Sequence, residues 1–432
     1  MDQRRQELSA GEPRPQREYL FKPALISSLK RGYSRSALRD DAIAGLTVAI
    51  VALPLSMALA IASGLPPERG LYTAIIGGFL ISLLGGSRFQ IGGPAGAFIV
   101  LVSLTVERHG YDGLVLATFI AGLIMVLIGV VRLGTYIRHI PHPVIVGFAA
   151  GIAVIIFASQ LKDFLGLEIA KEPGPLLAKL AAIWNALGTI NPVSFAISIT
   201  SVLLILLIRK ARPRWPGFLI VVILSAVFVA IFHPDIATIG SRFGAVPNSL
   251  PAPALPPFNW QKIYAVLPDA ISIALLGSIE SLLSAVVADK MSGQQHRSNG
   301  ELVAQGIANM GSVAFGGIPV TGTIARTATN VRSGAKSPVS GILHSVYLLV
   351  FMLVAAPLAV HIPLAALAAV LIVVAFNMSD HHEFWNLLKK NWADAIVLLA
   401  VFLITAFYDL LVAISIGVIL SLLFRAAKLR RT

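Results

Sequence analysis

The sequence contains no cysteine, which excludes a disulfide framework and a thiolate metal site. Charge is scarce as well, because Asp, Glu, Lys and Arg make up only 13% of the 432 residues, whereas an average soluble domain has roughly a quarter. The polar first 40 residues also lack the apolar core of a cleavable signal peptide. These absences argue against an ordinary soluble domain and against a disulfide-rich secreted protein.

Long apolar runs stand where charge is missing. Hydrophobic residues make up 56% of the chain, and the mean hydropathy is +0.81. Runs such as "GLVLATFIAGLIMVLIGVV" at 113–131 reach the roughly 20 residues with which a helix crosses a bilayer. They lack the alternation of barrel strands, and lipid admits only helices or closed barrels. The sequence therefore predicts an all-α, polytopic membrane protein.

The runs predict fourteen membrane segments, seven on each side of a Pro-rich loop at 245–260. Two amphipathic stretches, 176–190 and 381–391, are expected to lie along the membrane interface. The predicted segments are 42–62, 70–86, 94–107, 113–132, 142–161, 192–209 and 216–232, and then 262–288, 299–316, 320–331, 338–359, 363–377, 393–408 and 409–425.

The net charge of +13 comes from basic residues outside the apolar runs. This placement argues against nucleic acid as a partner. Under the positive-inside rule it predicts that both termini are cytoplasmic, in the cell inner (plasma) membrane, with an even number of segments between them. The residues are Arg4, Arg5, Arg14, Arg17, Lys22, Lys30, Arg31, Arg35 and Arg39 before the first segment, and Arg425, Lys428, Arg430 and Arg431 after the last.

Landmarks recur at similar spacing in the two halves, which indicates an internal repeat. Their intervals are 40 and 47 residues in the first half and 39 and 44 in the second. Because each half holds an odd number of segments, the second enters the membrane from the opposite side, and such inverted repeats are typical of secondary transporters. The landmarks are Pro54, Pro94 and "HIP" at 139–141, and then Glu280, Pro319 and "HIP" at 361–363.

Two glycine- and proline-containing stretches occupy equivalent places in the repeat, "GGPAGAF" at 92–98 and "GGIPVTGTIAR" at 316–326. Each predicts an extended approach followed by a half-helix that starts inside the membrane, with proline at the first helical position. The free N–H groups and the positive dipole end of such a start bind anions. Ordinary kinks or close-packing glycines are the structural alternative.

These stretches also carry a family resemblance. "DAIAGLTVAIVALPLSMALAIASGLPPERGLYTAIIGGF" followed by "GSRFQIGGPAGAF", and "GGIPVTGTIARTATNVRSGAKSPVSGI" at 316–342, resemble the two signatures of the sulfate permease (SulP) family of anion transporters. The resemblance, which runs from about residue 40 to 425, implies fourteen segments in two inverted repeats and a homodimer. It also implies an anion held between the half-helices of segments 3 and 10, and a core domain that moves like an elevator against a gate domain.

The resemblance also supplies domain boundaries and substrate contacts. Core segments 1–4 and 8–11 and gate segments 5–7 and 12–14 give a tail at 1–40, core at 41–138, gate at 139–244, a loop at 245–261, core at 262–360, gate at 361–425 and a basic C-terminus at 426–432. The expected substrate-binding residues are Ser56, Met57, Ala95, Gly96, Ala97, Thr323, Ile324, Ala325 and Arg326.

The sequence departs from the family pattern in two places. Many members carry Gln after the first-helix proline, where this chain has Leu55, so backbone amides are expected to hold the anion in the main. Family members usually continue into a cytoplasmic STAS domain, whereas the sequence given stops at "FRAAKLRRT". A prestin-like membrane domain without STAS is therefore expected.

Two charges fall inside predicted segments. Arg326 lies within about one turn of the start of segment 10, where an arginine costs roughly 2.5 to 3.5 kcal/mol to insert. It is expected to add positive charge at the anion site, with a salt bridge to a buried acid or an interfacial position as alternatives. Burial disfavours a charged carboxylate, so Glu280 in segment 8 is a candidate proton acceptor for symport. Its alternative is a permanent pair with Arg326.

The remaining polar residues carry weaker signals. "DHHE" at 380–383 offers metal ligands in principle, but it is expected to open an interfacial helix with Asp380 as its cap. No metal or other cofactor is therefore expected. Thr321 and Thr323 could bind substrate or cap the half-helix. The acids near segment ends, which are expected to be caps or loop charges, are Glu107, Asp269, Asp289 and Asp409.

The expected function is secondary active transport of a small inorganic or organic anion, by proton symport of a dicarboxylate such as fumarate or of sulfate. The alternatives are a sodium-coupled bicarbonate transporter, or an anion exchanger, channel or voltage-responsive motor of the same fold. A nucleobase–cation symporter is disfavoured, because that family generally has an acid where Arg326 stands. An enzyme is disfavoured because no catalytic cluster appears.

Overall fold

The computed structural model describes residues 21–30, 32–137, 141–169, 173–213, 215–256, 258–408 and 410–429. His139, Ile140 and Asp409, which figured in the predictions, lie outside them. The same is true of seven basic residues behind the predicted orientation, Arg4, Arg5, Arg14, Arg17, Arg31, Arg430 and Arg431. The first half contains α1 (Ala24–Lys30), α2 (Arg35–Ala62), α3 (Pro67–Tyr72), a π-helical turn (Thr73–Gly77), α4 (Gly78–Leu84), β1 (Gly92–Gly93), a 3₁₀ turn (Gly96–Phe98), α5 (Ile99–Val130), α6 (Gly134–Ile137), α7 (His142–Leu165), α8 (Leu176–Asn185), a 3₁₀ turn (Leu187–Thr189), α9 (Pro192–Ala211), α10 (Gly217–Phe232) and α11 (Ile239–Phe243). The second contains α12 (Trp260–Ser292), α13 (Ser298–Ala314), β2 (Thr321–Gly322), α14 (Ile324–Arg332), α15 (Val339–Ala359), α16 (Leu364–Met378), α17 (His381–Lys390), α18 (Trp392–Phe407) and α19 (Leu410–Leu429).

Helices occupy the predicted apolar runs, and the protein is an integral, multi-pass membrane protein. Among the described residues, seven helices are long and apolar enough to cross a bilayer by length and composition alone. The break predicted between segments 3 and 4 is a kink inside α5, where Gly110 has φ 70° and ψ 179°. Helix α2 begins seven residues before its predicted start, because Ser34 accepts a hydrogen bond from the Ala37 N–H and caps it.

The helices pack in two groups. In the first, α5 lies against α12 and α13, while α15 lies against α2 and α4. In the second, α7 packs against α16 and α18, α9 against α10 and α16, and α18 against α19. Helix α2 of the first group also touches α10 and α16 of the second, so the seam between the groups runs along α2.

A two-stranded antiparallel ribbon lies within the first group. Strands β1 and β2 pair with Gly92 opposite Gly322 and Gly93 opposite Thr321. The expectation that proline occupies the first position of each half-helix is wrong, because helical structure begins at Gly96 and at Ile324, beyond Pro94 and Pro319. Each proline instead flanks a two-residue strand, outside the ladder in which its missing N–H would be needed.

Two acidic residues, Asp380 and Asp269, differ from the prediction. Asp380 makes no capping hydrogen bond and has φ 39°, so the predicted cap is wrong. Asp269 lies inside α12, where its carboxylate pairs with His109 at 3.3 Å and Arg108 at 3.7 Å. Asp289, near the end of the same helix, bonds the His296 ring at 2.6 Å. Carboxylates in both places are paired because burial of an unpaired charge is costly.

A buried acid that the sequence did not single out ties α2 to the connection between α14 and α15. Asp41, fully buried, accepts hydrogen bonds from the backbone N–H groups of Lys336 at 2.6 Å and Ser337 at 3.1 Å. It also accepts from the Ser337 hydroxyl at 2.6 Å and the Tyr33 hydroxyl at 2.7 Å. Hydrogen bonds to a charged acceptor are the stronger kind, so this connection is held firmly against α2.

Candidate anion site

Two helix starts leave the β1–β2 ribbon. After β1 the chain is extended at Ala95 and then enters the 3₁₀ turn that leads into α5. After β2, Thr323 is the extended residue before α14. No side chain in the described part of the molecule caps either start, so the predicted cap at Thr323 is absent. The first N–H groups of a helix have no partner within it, and these two sets are therefore available to a ligand.

Hydrogen bonds from neighbouring elements fix the second start in place. The Thr323 N–H donates to the Ile91 carbonyl at 3.0 Å, and the Ile91 N–H donates to Thr327 Oγ1 at 3.1 Å. On the other side, the hydroxyls of Ser281 and Thr321 lie 2.6 Å apart. The ribbon is thus bound to both α12 and α14, which pre-organises the amide groups at the two helix starts, Gly96 and Ile324.

Arg326 supplies a buried positive charge at this place. Its relative exposure is 3%, and its Nη2 donates to Ser56 Oγ of α2 at 3.1 Å. The Nε and Nη1 atoms are buried with no hydrogen-bond partner among the described residues. A β-carbon added at Gly93 would overlap Nη1, so a larger residue there would displace the guanidinium that lies against β1. Unpaired donors of this kind are costly to bury, and an anion would satisfy them.

Glu280 lies on α12, next to the serine that holds the ribbon. Its residue surface is partly exposed, but Oε2 is buried without a partner in the part of the chain that the structure describes. The ion pair between Arg326 and Glu280, which was the alternative for both residues, is not found there. The side-chain partner of Arg326 is Ser56. The acid and the base are thus both available for other partners.

The other predicted site residues divide into two sets. Ala95 and Ala97 are buried, whereas Ile324 and Ala325 are exposed at the start of α14. At Gly96, an added β-carbon would lie 2.9 Å from Ile156 Cδ1 of α7 and 3.9 Å from Met378 Sδ of α16. The first start therefore faces the second group of helices, across the seam.

Ser56 and Met57 of α2 point in different directions. Ser56 reaches Arg326, while Met57 lines an apolar groove of about 340 Å³ together with Pro54 of α2 and residues of α10 and α15. Leu55, at the position where many family members have Gln, is buried.

A second cavity is a cleft between the two helix groups. It has a volume of about 810 Å³, and its lining includes Val100, the second residue of α5, and Leu276, one turn before Glu280. Arg108 and Asp269 also line it. The lining contains neither Arg326 nor Glu280 and no residue of the ribbon.

Several residues that build the site were missed from the sequence. The hydroxyls of Ser281, Ser284 and Thr327 bond the ribbon or one another, and the Gln90 side-chain amide donates to the Ser281 carbonyl at 3.0 Å. The available signal was a row of serines on α12, at 278, 281 and 284, around Glu280. At a spacing of three residues they lie near one face of the helix.

The fold and the site together define a multi-pass membrane protein in which two helix starts and one arginine converge at an internal ribbon. A model of the sulfate permease family matches residues 38–401. The candidate sulfate transporter YvdB of Bacillus subtilis (strain 168) is 46% identical over 395 residues, which are 91% of this chain and 74% of that protein.

Solved structures agree with the sequence matches. The transmembrane domain of a cyanobacterial bicarbonate transporter, BicA, has a TM-score of 0.80 at 33% identity, covering 88% of this chain and 98% of that one. The murine anion transporter Slc26a9 in its inward-facing state has a TM-score of 0.85 at 19% identity, covering 97% and 73%, and shows likeness of fold alone. The chain belongs to the sulfate permease family of anion transporters, which confirms the resemblance noted in the sequence.

The contact between Gly93 and Arg326 gives a first prediction. Gly93→Ala is expected to raise the half-saturation concentration for anion uptake by about tenfold, because overpacking of this size displaces the guanidinium. Gly188→Ala is the matched control, since nothing lies within 4 Å of a β-carbon there. Uptake into proteoliposomes measures both variants. An unchanged half-saturation concentration for Gly93→Ala would contradict the position assigned to Arg326.

Proposed function

We propose that this protein is a secondary active transporter that binds one small anion at the β1–β2 ribbon, between its two groups of helices. The observation that carries the proposal is the pair of unpartnered Arg326 donors, Nε and Nη1, buried beside two uncapped helix starts. Helix-terminal amides and a guanidinium both favour negative charge. Site residues in this proposal are Ser56, Ala95, Gly96, Ala97, Thr323, Ile324, Ala325 and Arg326, with Met57 at the margin.

Alternating access in this proposal is a movement of one helix group against the other. The first group, around α5 and α12, corresponds to the core segments 1–4 and 8–11, and the second, around α7 and α18, to the gate segments 5–7 and 12–14. The ribbon and Arg326 belong wholly to the first group, so an anion bound there would travel with it. The cleft lies between the two groups, and at Gly96 the first group approaches α7 of the second closely. In this proposal the two groups slide past each other there.

The proposed layout is fourteen segments in two inverted repeats of seven. Helices α5 and α14 leave the antiparallel ribbon at corresponding places of the two halves, as such repeats require. The protein would lie in the cell inner membrane with both termini cytoplasmic, as the flanking basic residues favour. A homodimer is proposed from the family pattern.

Coupling to protons is assigned to Glu280. Its buried, unpartnered Oε2 would take up a proton on one side of the membrane and release it on the other. A carboxyl group that stays unpaired inside the membrane is by default functional. Protonation while the anion is bound would reduce the charge that the moving domain carries through lipid.

The proposed substrate is a small dicarboxylate such as fumarate, or sulfate. The runner-up is sodium-coupled bicarbonate transport, which the likeness to BicA at 33% identity favours. The two alternatives differ in driving ion as well as in substrate. Sulfate and dicarboxylates carry two negative charges, so a single arginine and two helix starts favour them over a monovalent anion.

A panel of labelled anions separates these alternatives. Purified protein in liposomes is given ³⁵S-sulfate, ¹⁴C-fumarate or ¹⁴C-bicarbonate under an inside-alkaline pH gradient, under an inward sodium gradient, or under neither. We expect saturable accumulation of fumarate or sulfate with the pH gradient alone. Bicarbonate accumulation driven only by sodium would establish the runner-up. Non-saturable flux that follows the membrane potential would indicate a channel and contradict the proposal.

A further inference from the structure

A buried histidine stands behind Arg326. His344 of α15 has no exposed surface, and both of its ring nitrogens are buried without a hydrogen-bond partner among the described residues. An unpartnered imidazole in a membrane-embedded core is costly. It is also unlike its neighbour Ser345, whose hydroxyl donates to the Ala74 carbonyl at 3.3 Å. The position therefore calls for a partner that the protein side chains around it do not provide.

A hydrogen bond between α14 and α15 gives His344 and Arg326 corresponding places on the two helices. The Asn330 side-chain amide of α14 donates to Ser340 Oγ of α15 at 2.9 Å, which joins the two helices near their connection. Side chains four residues apart lie on one helix face. One turn from Asn330 along α14 is Arg326, and one turn from Ser340 along α15 is His344. Both turns lead away from the connection, so the two residues lie at a similar distance from it.

The surroundings hold this arrangement in place. Asp41 fixes the connection through the backbone N–H groups of Lys336 and Ser337. At Gly45 of α2, an added β-carbon would lie 3.1 Å from the His344 backbone nitrogen, so α15 packs closely against α2.

We propose that His344 is a positioning residue for Arg326: its neutral ring accepts a hydrogen bond from the guanidinium, through one bridging water, and holds that group at the helix starts. Arg326 has two unpartnered donor nitrogens, while a neutral imidazole has one acceptor nitrogen. Waters that bridge buried polar groups are nearly as good as direct bonds. Two adjacent positive charges would repel each other, which is why the ring acts as acceptor. This inference rests on the proposed role of Arg326 in anion binding.

The first test is a double-mutant cycle on anion uptake, measured with ³⁵S-sulfate, ¹⁴C-fumarate and ¹⁴C-bicarbonate in proteoliposomes. His344→Leu is expected to raise the half-saturation concentration about fivefold, with the maximal rate little changed, since one hydrogen bond of ordinary strength is lost. His344→Gln, which keeps an acceptor at similar reach, should restore it to within about twofold. In an Arg326→Gln background, His344→Leu should have almost no effect.

Controls separate this inference from the proposed function. Ser345→Ala removes the buried hydrogen bond from α15 to the Ala74 carbonyl, which does not involve Arg326. This variant should leave the half-saturation concentration unchanged. If His344→Leu has the same effect in both backgrounds, or if His344→Gln is as impaired as His344→Leu, the positioning role is overturned. If Arg326→Gln itself changes nothing, the proposed anion contact fails instead.

A second measurement is independent of folding in the variants and of the substrate. A structure of the wild-type protein at a resolution that shows ordered water is expected to reveal one water between the His344 ring and the Arg326 guanidinium. A His344 ring bonded to another group, with the guanidinium held without it, would overturn the inference.

Discussion

Replacing Arg326 by Gln is expected to raise the half-saturation concentration for anion uptake by about 10- to 100-fold. A charge pair about 5 Å apart at an effective dielectric near 20 is worth about 3 kcal/mol, and each 1.4 kcal/mol is about tenfold in affinity. The lower figure allows for the helix-start amides that remain in the variant. In the wild-type protein Ser56 Oγ accepts a hydrogen bond from Arg326, and the substitution removes that bond.

The measurement compares Arg326→Gln with Arg332→Gln, which removes an exposed charge at the other end of α14. Both variants are assayed in proteoliposomes over a range of anion concentrations, and both are checked for an unchanged elution volume. The distant variant should behave as wild type. Equal half-saturation concentrations in the two variants would show that Arg326 is not part of the binding site.

Replacing Glu280 by Gln is expected to abolish accumulation driven by a pH gradient while leaving anion binding intact. The amide has nearly the shape of the carboxyl group, but it takes up no proton over the pH range of the gradient. Uncoupled exchange of labelled for unlabelled anion should continue, because the ribbon and Arg326 are untouched. The expected loss is complete for net accumulation and less than about twofold for half-saturation in exchange.

Glu383→Gln is the matched control, since Glu383 is a partly exposed acid on α17, paired with His142 at 3.6 Å. It should accumulate anion as wild type does. Persistent pH-driven accumulation in Glu280→Gln would show that the proton is carried elsewhere. Loss of exchange and accumulation together would mean that Glu280 belongs to the anion site or to the fold instead.

The positions of the helices followed from the sequence because lipid imposes a strong rule. An apolar run of sufficient length must satisfy its backbone internally, so runs such as 192–209 and 216–232 mapped closely onto α9 and α10. Helices α8 and α17 followed from amphipathic patterning in the same way. Helix ends were less well predicted, because caps such as Ser34 lie outside the apolar pattern.

The site was predictable in place but not in construction. Glycine and proline at 92–94 marked a break in helix, yet a ladder of two residues per strand joins parts of the chain far apart in sequence, and no local pattern specifies such pairing. Because the strands were not predictable, the prolines that flank them were assigned to helix starts. Arg326 stood out as a charge in an apolar segment, whereas Ser56 and Gly93 became its neighbours only through tertiary packing.

In the proposed function, the helix starts at Gly96 and Ile324 hold one anion between them. Crystals grown with selenate, which has the charge and shape of sulfate and scatters anomalously at the selenium edge, test it directly. We expect one anomalous peak within hydrogen-bond distance of the backbone N–H groups at both starts and of the Arg326 guanidinium. A peak elsewhere along the cleft, with water alone at the two helix starts, would contradict it.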